Sequence, residues 1–157
     1  MKPADKTNAM RIFDRLKIPY KHYTYESDGA ISGVEVAKLL NQDPAHVFKT
    51  LVTVGKTGKN YVFMIPVAEE LNLKKAAIHA GEKSIEMLKS KDLLSTVGYI
   101  HGGCSPVGMK KLLPTFIDSK AEKYPTIIFS AGKIGQQLEC SILDLSKAIP
   151  WKLYHSQ

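Results

Sequence analysis

Residues 47–67 read VFKTLVTVGKTGKNYVFMIPV. Two runs rich in Val, Phe, Thr, Ile and Tyr, 47–54 and 61–67, flank the segment GKTGKN. β-branched and aromatic runs on either side of glycine turn signals predict two strands joined as a hairpin. One charged side chain interrupts the first run. On an alternating strand Lys49 shares a face with Val47 and Leu51. If those two are buried, its ammonium needs a partner or its pKa must fall. A lysine that snorkels to solvent is the other reading.

Upstream, Ala9, Met10, Ile12, Phe13 and Leu16 recur at helical spacing and predict an amphipathic helix over 5–17. YKHYTY at 20–25 alternates and predicts a strand. Ser32, with Glu35 three residues later, is a capping-box signature for a helix over 32–40. Asp43 and Pro44 have the types preferred at an N-cap and the first helical position. Downstream, 73–80 and 83–90 read as short helices separated by Gly81. Residues 115–118, 126–130 and 138–143 read as strands, with GKIGQ at 132–136 as a turn. A helix over 143–149 ends before Pro150. Hairpins alternating irregularly with short helices do not make a βαβ repeat. The expected fold is α+β: a single domain over 1–157, with a central mixed sheet and short helices around it.

Length and composition narrow the function classes. The chain has 157 residues, 44% hydrophobic and 24% charged, which suits one globular core. No apolar run approaches membrane-spanning length, so no membrane partner is expected. The N-terminal stretch has no apolar h-region of a secretory signal. Cys104 and Cys140 form no CxxC and no disulfide framework, so a reduced, cytoplasmic protein is expected. The five histidines are scattered without metal-ligand spacing, and neither a P-loop nor a GxSxG elbow is present. No metal and no cofactor are expected. The net charge of +7 comes from 22 Lys+Arg against 15 Asp+Glu. Only Arg11 and Arg15 are arginines, so lysines carry most of it. Such a balance suits a phosphate-bearing partner held without base reading.

Two small-residue segments stand out, HGGCSPVG at 101–108 and SAGKIG at 130–135. His101 near Cys104 suggests a thiol nucleophile with a base. Three residues of loop do not make one face the other, however. Glycine-rich turns also offer successive backbone N–H groups as anion or oxyanion donors.

VFKTLV at 47–52, IPVAEELNLKKAA at 65–77, GGCSPVGMKKLLPTFID at 102–118 and FSAGKIG at 129–135, followed by Leu138-Glu139, are similar in order and spacing to the YbaK family of aminoacyl-tRNA deacylases. That family is related to the editing insertion of bacterial prolyl-tRNA synthetases. The likeness spans roughly residues 20–149. It implies the YbaK-type fold and removal of an amino acid from mischarged tRNA, with Cys-tRNA(Pro) the nearest case. It implies that Lys49 is the catalytic lysine, contacting the aminoacyl-adenosine end. Gly102, Gly103, Ser105, Pro106 and Gly108 match the loop that cradles the ester. Ser130, Ala131 and Gly132 match the opposite wall, and Tyr25 an aromatic at the pocket mouth. Ser32 replaces an aromatic of the pattern, Gln137 an aspartate and Cys104 an apolar residue.

The resemblance supplies no nucleophilic side chain. The substrate's own thiol is the implied attacking group, releasing a thiolactone, and a thiol in the same molecule as its ester has a high effective molarity. A substrate without a thiol would need activated water. Lysines such as Lys74, Lys75, Lys110 and Lys111 would hold the tRNA body, and a partner such as prolyl-tRNA synthetase would supply tRNA specificity. A module that binds aminoacyl-tRNA or a nucleotide without catalysis is the alternative, because this chemistry leaves no triad to recognise.

Overall fold

The computed structural model describes residues 6–27 and 31–156. Its helices are α1 (Asn8–Arg15), α2 (Gly33–Leu39), α3 (Leu73–Ala80), α4 (Ser90–Val97) and α5 (Ile142–Leu145). Its strands are β1 (Lys21–Thr24), β2 (Phe48–Gly55), β3 (Asn60–Pro66), β4 (Ile85–Met87), β5 (Thr115–Asp118), β6 (Ile127–Lys133), β7 (Gln136–Cys140) and β8 (Lys152–Tyr154). The helix expected from residue 5 has its start outside the described residues; Thr7 caps α1 by accepting from the Met10 N–H. Ser32 and Glu35 form the predicted capping box of α2. Asp43 and Pro44 open a 3₁₀ turn, Pro44–His46, rather than an α-helix.

The hairpin of residues 47–67 is the centre of the larger sheet. β2 and β3 pair antiparallel from Phe48↔Pro66 to Val54↔Asn60. β4 adds to the free side of β2, and β5 and then β8 add in parallel beyond β3. One face packs against α3 through Tyr61, Phe63, Ile65, Ala76, Ala77, Phe116 and Tyr154. The other carries Phe48 and Met64 into a core shared with Met10, Phe13, Phe129 and Leu138.

The expected single mixed sheet is two sheets. β1, β7 and β6 form a separate antiparallel sheet in that order. The two sheets meet at one parallel bridge, Val47↔Ile128. Past it, β2 and β6 lie side by side without further pairing among the described residues, so their facing edges border a seam.

Residues 83–90 are not a helix. Ile85 is the buried side chain there, its neighbours Glu86 and Met87 are exposed, and the segment pairs with Thr53–Gly55 as β4. The helix comes later, as α4, burying Leu93 and Val97 at (i, i+4) spacing. The strand expected over 138–143 stops at Cys140, because Ser141 caps α5. The helix expected over 143–149 is α5, Ile142–Leu145, which ends at Leu145. Residues 152–154 add a strand that the sequence reading lacks.

Candidate active site

The seam collects most of the residues singled out in the sequence. On β7, Gln137 lies opposite Tyr23 of β1 on one side and Ser130 of β6 on the other. Residues directly opposite in a ladder share a face. Counting onward from the Val47↔Ile128 bridge brings Lys49 level with Ser130 on that same face. Across β3, Lys49 pairs with Ile65. Tyr23, Gln137, Ser130 and Lys49 thus form one row across the seam.

The end of β6 is bulged. The ladder steps from Ser130↔Gln137 to Lys133↔Gln136, leaving Ala131 and Gly132 as the irregularity. Such bulges re-aim a strand and are frequent beside active sites. Gly132 has φ of 98° and its N–H donates to Ser130 Oγ at 3.1 Å. Ala131 points the other way, fully buried in the core with Phe48 and Val107. Its side chain is therefore no wall of an open site.

The loop at 101–108 packs on this bulge. A Cβ added to Gly103 would stand 3.0 Å from the Ile134 nitrogen, so only glycine lets the two backbones approach so closely. Ser105 and Pro106 are buried, and Ser105 Oγ accepts from the Val107 N–H at 3.3 Å. They shape the loop from behind. The Gly103 N–H is taken by the Ile100 carbonyl. The N–H groups of Gly102 and Gly108 have no protein acceptor among the described residues. These two, both at positive φ, are among the loop's unpaired main-chain donors, along with the Cys104 and Ser105 N–H groups. Tyr25 adjoins the same end: its N–H donates to the Gly135 carbonyl at 2.9 Å. Its side chain lines an open cleft with Thr24, Glu26, Leu39 and Leu40.

Burial of Val47 and partial burial of Leu51 put Lys49 in the constrained case. Burial pushes its ammonium below the usual lysine range, and the carboxylates of Glu70 and Glu69 pull it part of the way back. A half-buried cation beside main-chain donors can stabilise negative charge that develops on a bound group.

Cys104 cannot serve as a nucleophile in this environment. It packs among Val52, Val62, Leu93, Val97 and Leu113. Burial pushes its thiol up to about 12, far from the thiolate a nucleophile needs. His101 is exposed and makes no hydrogen bond to Cys104. Among the described residues no cluster of His, Cys, Asp and Glu could hold a metal. No helix there is long and apolar enough to cross a membrane.

Sequence reasoning did not find two supports of the site. Tyr99 is the first: its hydroxyl donates to the Val107 carbonyl at 2.5 Å while its ring lies against Gly132. An aromatic just ahead of a glycine pair was the available signal. Gln42 is the second, donating through Nε2 to Gln137 Oε1 at 2.9 Å. Nothing in its local sequence pointed to that contact.

These elements define a mixed α/β domain of two sheets, with a glycine-rich loop packed on the bulged end of β6 and a half-buried lysine on β2. Residues 29–148 match the family described as the aminoacyl-tRNA editing domain, and the chain belongs to that family. A protein of Enterococcus faecalis named as the Cys-tRNA(Pro)/Cys-tRNA(Cys) deacylase EbsC is 49% identical over 139 residues, covering 88% of this chain and 85% of that protein. A solved structure described as a trans-editing enzyme for prolyl tRNA synthetase superposes with TM-score 0.79 at 21% identity, covering 98% of this chain and 96% of that one. The crystal structure of a hypothetical protein superposes with TM-score 0.82 at 19% identity, over 91% of this chain and 94% of the other. At those identities the two structures speak for the fold alone.

Proposed function

We propose that the protein is an editing deacylase that frees the amino acid from mischarged tRNA, with Cys-tRNA(Pro) as its substrate. The observation that carries this reading is the glycine loop packed on the bulged end of β6 next to Ser130, with Lys49 two residues past the bridge that joins β2 to β6 and Cys104 buried in the core. Family membership and the name of the 49%-identical relative support the substrate class.

The chemistry follows from what the site has and lacks. The substrate thiol attacks its own ester carbonyl, forming a C–S bond. The tetrahedral oxyanion collapses, the C–O bond to the ribose breaks, and the thiol proton ends on the ribose oxygen. The products are a thiolactone and uncharged tRNA. Holding thiol and carbonyl in one folded conformer supplies the effective molarity. The Gly102 and Gly108 N–H groups receive the oxyanion, and Lys49 steadies the charge on the departing ribose oxygen. A tRNA substrate places the protein in the cytoplasm, and prolyl-tRNA synthetase is the partner that would select the tRNA.

The test is to incubate the protein with Cys-tRNA(Pro) and follow ester loss and thiolactone release. Tight binding without turnover would instead favour a non-catalytic module. Undiminished hydrolysis by Lys49→Ala would remove Lys49 from the mechanism.

A further inference from the structure

The larger sheet separates the chain's exposed cations into two groups. Tyr61, Phe63 and Ile65 of β3 face α3, and the intervening Val62 and Met64 face the other way. On that other face lie α4 and the glycine loop, through Leu93, Val97 and Cys104, and α1, through Met10 and Phe13. The α3 side mixes its lysines with carboxylates. Lys120 reaches Glu69 at 2.9 Å and Asp118 at 3.6 Å, and Glu70 lines the same cavity. Lys75 is committed to the Ser156 carbonyl, to which it donates at 2.5 Å.

The loop side has no such mixture. From Leu93 to Ile117, and again from Lys123 to Leu138, the sequence has no Asp or Glu. The chain's only two arginines lie on this side as well. Asn8, Arg11, Ile12 and Arg15 follow i, i+3, i+4, i+7 spacing along one side of α1, away from the buried Ala9, Met10 and Phe13. That side meets the glycine loop: a Cβ on Gly108 would stand 3.0 Å from Asn8 Nδ2 and 3.4 Å from Ile12 Cδ1. Lys133 adjoins the start of the loop, its carbonyl carbon 3.3 Å from where a Cβ on Gly103 would be. Lys110 and Lys111 follow the loop directly, and all five cations are exposed. Among the described residues Arg11, Arg15, Lys111 and Lys133 have no side-chain hydrogen bond or ion pair. The one carboxylate of α1, Asp14, is already paired with Lys6 at 2.5 Å.

We propose that Arg11 and Arg15 of α1, with Lys110, Lys111 and Lys133 around the glycine loop, form the surface that holds the phosphates of the tRNA acceptor stem. This deepens the editing reading and rests on it for the choice of tRNA as the polyanion. Cations grouped on an acid-poor face attract a phosphate backbone without reading its bases. An arginine offers two parallel donors to one phosphate, which a lysine does not. Held here, the stem brings its 3′ end, which carries the aminoacyl ester, to the main-chain donors of the loop. Lys74 and Lys75, expected from the sequence to share this work, sit on α3 across the sheet and take no part.

The experiment measures binding of uncharged tRNA(Pro) by fluorescence anisotropy over a salt series, with Tm as a check on folding. It compares the wild type with three double variants: Arg11→Gln with Arg15→Gln, Lys111→Gln with Lys133→Gln, and Lys74→Gln with Lys83→Gln. Each pair removes two exposed positive charges, so net charge falls equally in all three. Either loop-side pair should raise Kd at least about tenfold at low salt, and lower the slope of log Kd against log salt by about 1.5. The pair on and just past α3 should leave Kd within about twofold of wild type. An α3-side pair that weakens binding as much as the others overturns the proposal, because net charge alone would then suffice. A loop-side pair that binds as the wild type does overturns it too, as does a wild type that binds no tRNA. A wild type that binds tRNA but releases nothing from Cys-tRNA(Pro) overturns the editing reading and leaves this surface standing.

Discussion

The ring of Tyr99 lies against Gly132: a Cβ on that glycine would stand 2.9 Å from Tyr99 Cε1. The same tyrosine's hydroxyl reaches the Val107 carbonyl at 2.5 Å and would stand 2.8 Å from a Cβ on Gly108. One side chain thus joins the glycine loop to the bulge of β6. Gly132→Ala meets both this contact and a φ of 98°. It should cost about 2–4 kcal/mol of stability, because strain at positive φ adds to a steric clash. Gly102→Ala has the positive φ but 3.6 Å of room, and should cost only about 1 kcal/mol. Denaturant unfolding of the two variants checks the contrast.

Lys49 should trade stability for function. Its folded pKa lies below the unfolded value of 10.5, chiefly through burial. The unfolded chain then binds more protons between those two values, so this group's contribution to stability rises with pH across that window. Below it, the charged lysine is a net cost. Lys49→Met should therefore raise Tm at neutral pH while lowering deacylation at least about a hundredfold. Calorimetry and single-turnover assays on one preparation measure both.

The buried thiols set an alkaline limit. Burial raises Cys104 and Cys140 from 9.0 to about 12. Groups raised on folding stabilise the protein fully below the unfolded pKa, and that stabilisation is lost as pH climbs to the folded value. Unfolding should thus become easier from pH 9.0 to about 12. At pH 8, close to physiological, native protein should resist iodoacetamide at both cysteines while urea-unfolded protein reacts. Cys104→Ala should cost about 1–2 kcal/mol as a small core cavity and leave kcat unchanged.

Lys110 and Lys111 are exposed just past the glycine loop. If they meet tRNA phosphates, replacing both with alanine should raise KM for tRNA several-fold at low salt. The difference should shrink as salt rises, because counterion release sets this term. Deacylation of a cysteinyl-adenosine fragment should not change. Kinetics over a salt series distinguish the two.

The hairpin was legible because its strands are buried on both sides and read as near-continuous apolar runs. β4 was not: charged residues around a single buried Ile85 resemble a polar helix. β8 was missed because a three-residue strand carries too little pattern to read, although Tyr154 is fully packed. Division into two sheets is invisible locally, since it depends on which strand edges meet in space. Lys49, Gly103 and Gly132 stood out in the sequence because a lysine or a glycine broke an apolar pattern. The inward turn of Ala131 left no sign in its motif. Gln42 leaves no local trace because its partner lies 95 residues away.

That sequence separation has a kinetic meaning. The row across the seam draws on β1, β2, β6 and β7, and β1 meets β7 through a pair such as His22 and Gln136, 114 residues apart. Closing so long a loop is entropically costly and gains nothing until the distant strand arrives. A nascent chain that has released its first hundred or so residues would hold Lys49 in a nearly finished hairpin, yet have no wall opposite it. The capacity to act on an ester would thus emerge in one step, late in synthesis.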